Sequence, residues 1–379
     1  MDTINIFPYK TPEEHSIHYA SKHTYSLLTS ILNAEISLSN HYESDSFNIL
    51  VDSSSAFLEK RTRAQLLWFD DFCIPTRRVR DIYINKTDFN YDVIWVASPF
   101  SEMILKEWSN ELGASISGIV PRALSPELRR YRAIHDLNIS NGVFRYDILM
   151  LGAYDPLDRK GISVLSPLLR EIARSIDSQT NICVISTRRP SILPSVLKMS
   201  RGKVNVDFYQ EFTLHHNELY SLYASSKYLI SASHSEGVSM PVYEAEYVGL
   251  PTIVTDLPCY INTGSIKIKA EKRGARPHTS LMWMWYDYSV DEFVDKVISA
   301  LQLSREQYIK MSKDAIRRQE KNQSFVVSAL NSLFNAFGLS QLLKSEYKVK
   351  EGGDEKARDK PDNISLMTDK SELKVVERT

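Results

Sequence analysis

Residues 227–256, KYLISASHSEGVSMPVYEAEYVGLPTIVTD, constrain the fold more than any other stretch of this chain. The run KYLISAS reads as a buried strand, residues 236–239 as a loop, and Pro241 as a first-turn residue of a helix that carries Glu244 and stops near Gly249. PTIVTD then supplies a second strand. A strand, loop, helix and strand in that order put the loop at the carboxyl edge of a parallel sheet, where open α/β folds bind ligands. The backbone N–H groups at such a helix start face an anion, a diphosphate for example. Glu236 and Glu244, eight positions apart, are acceptors suited to the hydroxyls of a sugar or ribose. Read without their neighbours, the same two glutamates also fit a solvent-exposed acidic loop ahead of an ordinary helix.

The alternation extends in both directions. Residues 4–9 give a first strand and residues 12–32 a helix, and FNILVDS, QLLWFDDF and YDVIWVAS are three further strands. Ser98-Pro99 opens a helix with apolar Met103, Ile104 and Trp108 that stops at Gly113, and residues 114–124 add a short strand. After Asn141-Gly142 the pattern restarts with the strand FRYDILMLG, the helix SVLSPLLREIARSI, the strands NICVIST and NVDFYQEF, and the segment HNELYSLYASSKYLI leading into residues 227–256. Two doubly wound, Rossmann-like α/β domains are therefore expected, residues 1–140 and 141–343, with the boundary near 136–143. Residues 290–343 read as helical. The segment 344–379 is rich in Lys, Glu, Asp and Gly, with little to bury, and reads as a disordered tail.

Composition supports a cytoplasmic enzyme. A length of 379 residues suits about two domains. A formal charge of −1 gives no global attraction to nucleic acid. Cys73, Cys183 and Cys259 are too few and too scattered for a disulfide framework or a zinc site, and read as buried thiols. No run approaches the roughly 18 apolar residues of a membrane span. The first fifteen residues lack a basic region followed by an apolar stretch.

The residues around the two glutamates resemble the E-x7-E signature of retaining GT-B glycosyltransferases of the family 4 type, S-x-x-E-G-[FV]-[GS]-x-P-x-x-E-A-x-x-x-G-x-P. The positions that match are Ser233, Glu236, Gly237, Pro241, Glu244, Ala245, Gly249 and Pro251, and flanking segments extend the likeness over roughly residues 90 to 335. The resemblance implies two domains facing across a cleft and transfer of a sugar from a UDP- or GDP-sugar, with retention and without a metal or other cofactor. Glu244 is then the residue that meets the ribose and Glu236 the one that meets the transferred sugar. Gly237, Val238 and Ser239 offer backbone N–H groups, and Leu219 and Tyr223 either line the base pocket or belong to the core. Lys160-Gly161 matches the lysine end of the family's G-R-x-x-x-x-K-G segment, where fixed cations stabilise the leaving diphosphate. Ala153 stands where the family's arginine is usual, so Arg159, Arg188 or Arg189 is expected to supply that charge. Read alone, Arg159 and Lys160 are equally solvated loop charges.

The N-terminal half departs from the family. It has Pro8 to Pro12 in place of a glycine-rich loop, and Phe69, Asp70 and Asp71 where a histidine is common. Either Asp70 or Asp71 acts there, or His15, His18 or His23 enters from the first helix, or catalysis has been lost and the chain is a nucleotide-sugar-binding protein. Epimerisation or phosphorolysis on the same fold is a further alternative. Basic clusters at Lys60-Arg61-Arg63, Arg77-Arg78-Arg80 and Arg129-Arg130-Arg132 suit an anionic acceptor, peripheral contact with a membrane, or a mixed charged surface. The acceptor itself, whether glycan, lipid-linked or protein, and the oligomeric state are not specified by these motifs.

Overall fold

A computed structural model describes residues 3–7, 16–39, 43–52, 63–70, 73–75, 90–109, 116–152, 158–186, 202–210, 214–278 and 281–345. Its contacts divide the chain into two units, Met1–Asp70 with Arg77–Ser125 and Gln323–Thr379, and Asp71–Thr76 with Pro126–Asn322.

In chain order the first elements are β1 (Thr3–Phe7), α1 (Ser16–Ile31), β2 (Glu35–Leu38), β3 (Phe47–Asp52), β4 (Arg63–Phe69), β5 (Cys73–Pro75), β6 (Asn90–Val96), α2 (Pro99–Ser109) and β7 (Gly118–Ile119). All but β5 belong to the first unit. Its six strands are parallel, in the order β2-β1-β3-β4-β6-β7. The central strands β3 and β4 are continuous apolar runs because both of their faces are covered, and Ile49, Leu50, Leu66, Leu67 and Trp68 are fully buried. Ser98 caps α2 by accepting the Ser101 backbone N–H at 3.0 Å, which is why the helix begins at the Ser-Pro pair.

The second unit contains α3 (Arg129–Asn141), β8 (Tyr146–Leu151), α4 (Leu165–Ser175), β9 (Thr180–Ser186), β10 (Val204–Gln210), α5 (His216–Ser225), β11 (Ser226–Ser231), α6 (Met240–Val248), β12 (Thr252–Thr255), β13 (Ile266–Ile268), β14 (Ala270–His278), β15 (Leu281–Tyr288) and α7 (Val290–Leu301), followed by α8 (Arg305–Ala336). Its main sheet is also six-stranded and parallel, in the order β10-β9-β8-β11-β12-β13. Leu165, Leu168, Leu169 and Ile172 form one apolar stripe of α4 and pack with Phe293 and Val297 of α7 over Ile148, Ile182, Val184 and Ile230 of the sheet. Burying each such side chain contributes about 1.5–3 kcal/mol.

The units divide between Ser125 and Pro126, ahead of the expected boundary at 136–143. Hydrogen bonds explain the difference. On α3, Arg132 Nε donates to Tyr247 O (2.6 Å), Asn138 Nδ2 donates to Ala224 O (3.0 Å), and His135 Nδ1 lies 3.0 Å from the same carbonyl. The chain also returns to the first unit at Gln323, within α8. There Leu124 N donates to Gln323 Oε1 (2.9 Å), and farther on Lys344 N donates to Ile31 O (2.9 Å). Nearly all of the expected tail, from residue 346, lies outside the described residues.

A third sheet, β14-β15-β5, is antiparallel and belongs to the second unit. Nothing in the alternation announced it, because the near-continuous apolar run of β15 lacks the period-2 pattern of a half-buried strand and Pro277 argues against a strand at β14.

Candidate active site

The loop after β11 carries the first glutamate of the motif. Glu236 is 4% exposed, so this is no solvated acidic loop. Burial alone would raise its pKa, yet the charges of Lys160 and Arg159 and the hydrogen bonds from Lys160 and Ser233 bring it below the ordinary carboxylate value. Lys160 Nζ makes a close ion pair with Oε1, Arg159 Nη1 lies 3.4 Å from Oε2, and Ser233 Oγ donates to Oε1 at 2.8 Å. Arg159 Nη1 also donates to Ser235 O at 2.9 Å, and its guanidinium lies 5.5 Å from the Trp283 ring centroid. Both cations are largely covered, and neither is a free surface charge.

Gly161 brings the Lys160 loop this close. Its φ is +64°, and a Cβ there would stand 2.0 Å from Ala232 O, so only glycine lets residues 158–161 lie against the end of β11. The contact is sealed by His234, whose backbone N–H donates to Arg159 O (2.7 Å) and whose carbonyl accepts from Tyr286 N (3.0 Å). His234 Nδ1 lies 2.7 Å from Tyr286 O, and its ring stacks on Trp285 at 4.5 Å. His234 thus pairs with the edge of β15 on one side and with the Lys160 loop on the other.

Helix α6 begins at Met240, with Pro241 in its first turn and Gly249 as a left-handed C-cap at φ 103°. Gly237 and Ser239 are buried and Val238 half-buried ahead of that helix. Glu244, 4% exposed, accepts a hydrogen bond from Tyr223 Oη at 2.8 Å. Tyr223 is fully buried on α5, so it serves the core and also holds the second glutamate. Leu219 is half-buried one turn earlier on α5.

Glu246, two residues beyond Glu244, went unnoticed in the sequence. It is fully buried and takes hydrogen bonds from Arg318 Nη2 (2.8 Å), Thr252 Oγ1 (2.9 Å), Thr263 Oγ1 (2.8 Å), Ser265 Oγ (3.0 Å) and Gly264 N (3.1 Å). It ties α6 to α8 and to the loop before β13. Arg318, thirteen residues into α8, gave no local cue to this pairing.

In the first unit, Asp70 is half-buried at the end of β4 and its Oδ1 accepts from Ser101 Oγ at 3.1 Å. The ring of His23 faces inward, where its Nδ1 accepts the Ser125 N–H at 2.9 Å, which gives it a packing role. His15, Asp71, Ala153, Arg188 and Arg189 lie outside the described residues, as does the His18 side chain. Of the basic clusters, Arg129, Arg130 and Arg132 sit in the second unit, bonded to Tyr247, Asn217 and Glu320. The Lys60 and Arg77 clusters lie outside the described side chains. Cys183 and Cys259 are buried free thiols. Among the described residues no group of His, Cys, Asp and Glu is placed to hold a metal ion, and no helix is long and apolar enough to cross a membrane.

The two sheets have counterparts of the same arrangement in solved structures. HepE from Anabaena, solved with UDP and glucose, aligns over 90% of this chain and 100% of its own at a TM-score of 0.56 and 11% identity. WaaG, a glycosyltransferase involved in lipopolysaccharide biosynthesis, aligns over 87% of this chain and 99% of its own at 0.53 and 12%. The fold is that of the GT-B glycosyltransferases. Sucrose-phosphate synthase of Thermosynechococcus elongatus shares it, at a TM-score of 0.54 and 11% identity over 89% of this chain and 100% of its own.

Residues 145–302 match the family model described as glycosyl transferases group 1, so the GT-B unit that holds Lys160, Glu236 and Glu244 is also the one with a family likeness in sequence. The candidate glycosyltransferase ORF330 of Acidianus filamentous virus 2 is 22% identical over 168 residues, which are 44% of this chain and 48% of that protein. The match thus spans about half the length of that relative.

Proposed function

We propose that the protein is a retaining, metal-independent glycosyltransferase that moves a sugar from a UDP- or GDP-sugar to an acceptor hydroxyl. The observation that carries this reading is the buried carboxylate Glu236 held by Lys160 and Arg159 beside the helix start of α6, at the carboxyl edge of a parallel sheet. Lys160 and Arg159 stabilise charge as it builds on the donor's diphosphate, the bond from the anomeric carbon to phosphate breaks, and the acceptor oxygen bonds to that carbon on the same face. The acceptor's proton leaves with the diphosphate. Glu236 orients the sugar hydroxyls, Glu244 the ribose, and backbone N–H groups of residues 237–239 the diphosphate. In this reading Asp70 is the catalytic carboxylate in the place of the family's histidine, Leu219 is a wall of the base pocket, and Arg188 is the alternative to Arg159 as the cation that joins Lys160. The chain's contribution is positioning and fixed charge.

The test is nucleotide binding and turnover. A panel of UDP, GDP, ADP and their sugar conjugates should stabilise the wild type selectively, with the shift lost in Glu244→Ala and turnover lost in Glu236→Ala. Full activity in both variants would refute the reading. Asp70, bonded to Ser101 where a histidine is common in the family, favours a second possibility, a binding protein without catalysis. Donor turnover by the purified protein that disappears in Glu236→Ala excludes it.

A further inference from the structure

We infer that Glu236 and the donor's diphosphate compete for the same two cations, so that donor binding is an exchange of anions at Lys160 and Arg159. The inference rests on the donor-site reading above and specifies how that site is regulated. Lys160 is bonded to one oxygen of the carboxylate and Arg159 faces the other, while the Ser233 hydroxyl donates to the oxygen that Lys160 holds. The carboxylate and the two cations sum to one positive charge. A diphosphate brings two or three negative charges, and a buried cluster cannot accommodate all of them together with an ionised Glu236. The carboxylate must give up Lys160 when phosphoryl oxygens reach it.

The geometry provides for that exchange. Arg159 has a second anchor at Ser235 O and a ring contact with Trp283, so its guanidinium stays in place when the carboxylate turns away. Lys160 is a flexible four-carbon stem ending in three donors, able to follow an arriving oxygen. Its backbone cannot follow, because Gly161 is wedged against Ala232 O. Ser235 Oγ, fully buried in the same loop, makes no hydrogen bond among the described residues and is an unused donor for an oxygen that arrives there. Two consequences follow. A monophosphate, with less charge, displaces Glu236 less effectively than a diphosphate. The carboxylate that leaves the cations is directed to the sugar hydroxyls, so engagement of the sugar follows engagement of the diphosphate.

The experiment uses inorganic pyrophosphate as a probe independent of base and sugar, alongside UDP, GDP and ADP, titrated calorimetrically into the full chain and into Glu236→Gln. Removal of the competing charge should tighten pyrophosphate and the cognate nucleoside diphosphate by about tenfold, the equivalent of 1.4 kcal/mol, with the free nucleoside unchanged. Glu236 as a sugar ligand alone predicts no change, since none of these probes contains a transferred sugar. Binding to the wild type that is equal or weaker in Glu236→Gln overturns the exchange and leaves the donor site standing. No binding of any probe to either protein overturns both. If Glu236→Gln does not fold, Ser233→Ala keeps the charge and loosens its hold. It should tighten pyrophosphate about threefold, and an unchanged affinity there overturns the exchange.

Discussion

Replacing Gly161 by alanine should damage both stability and ligand binding, through one contact. The added Cβ would stand 2.0 Å from Ala232 O and 2.8 Å from both Ala232 C and Tyr288 Oη. Real Cβ atoms do not approach backbone oxygens closer than 3.0 Å, so the loop has to withdraw by about 1 Å. The left-handed φ of +64° adds about 1–2 kcal/mol for an L-residue, and the displaced packing adds a similar amount. Together these give a loss of about 2–4 kcal/mol, a fall of roughly 5–15 °C in the melting temperature of a unit this size. Lys160 is the preceding residue, and in the proposed donor-site role a misplacement by about 1 Å costs on the order of 100-fold in rate. Thermal unfolding and pyrophosphate titration measure the two effects on one sample. A melting temperature within about 2 °C of wild type, with pyrophosphate affinity unchanged, would refute the claim that Gly161 sets the position of Lys160.

Three other outcomes are expected. Glu246→Ala leaves Arg318 in a buried network without its carboxylate and should cost about 3–5 kcal/mol in urea unfolding, with a smaller loss for Glu246→Gln; a cost under about 1 kcal/mol would remove it as the link between α6 and α8. Tyr223→Phe takes the 2.8 Å hydrogen bond from Glu244 and should weaken nucleotide diphosphates about fivefold without altering free pyrophosphate, because Glu244 is assigned to the ribose. His135 and His234 are held below their ordinary value of 6.5, chiefly by burial, so the folded protein binds fewer protons than the unfolded chain. Stability is therefore complete above that value and is lost as the pH falls below 6.5. The lowered Glu236 adds a separate loss as the pH falls below 4.5. Unfolding curves between pH 7.5 and 4 should show the first decline in the wild type and less of it in His135→Gln. A flat profile down to pH 5 would contradict the histidine assignment.

How far the sequence reveals this protein depends on whether a feature is local. The strands β8, β9 and β11 and the helices α4 and α6 were readable because each carries its own periodicity and its own stop, such as Gly249 after α6. Lys160 was identifiable because a glycine follows it, and the structure shows what that glycine does. The antiparallel sheet was not readable, since β5 is a three-residue strand about two hundred positions from its partner β15 and no local pattern encodes such a pairing. His234 was missed for the same reason. Its role is set by the free edge of β15, with its imidazole placed where a neighbouring strand's amide would be.

The three glutamates at 236, 244 and 246 show why spacing identified two and not the third. Glu244 and Glu246 are two positions apart on one helix, so they point to faces about 200° apart. One face meets Tyr223 of α5 and the other meets Arg318 of α8, and both carboxylates are buried. Burial and charge therefore do not separate a ligand-binding glutamate from a structural one here. What separates them is the number of donors already fixed by the fold. Hydrogen bonds from at least four protein groups besides Arg318 converge on Glu246, which leaves its oxygens no capacity for a ligand. Glu236 instead rests on two cations and a hydroxyl, and its closest partner, Lys160, sits at the end of a flexible four-carbon stem in a loop that glycine holds against β11. A carboxylate held by cations that another anion can also engage can give them up, and one held by a backbone N–H group and buried hydroxyls cannot. If pyrophosphate affinity responds to Glu236→Gln and not to Glu246→Gln, that distinction is the physical basis for assigning the site.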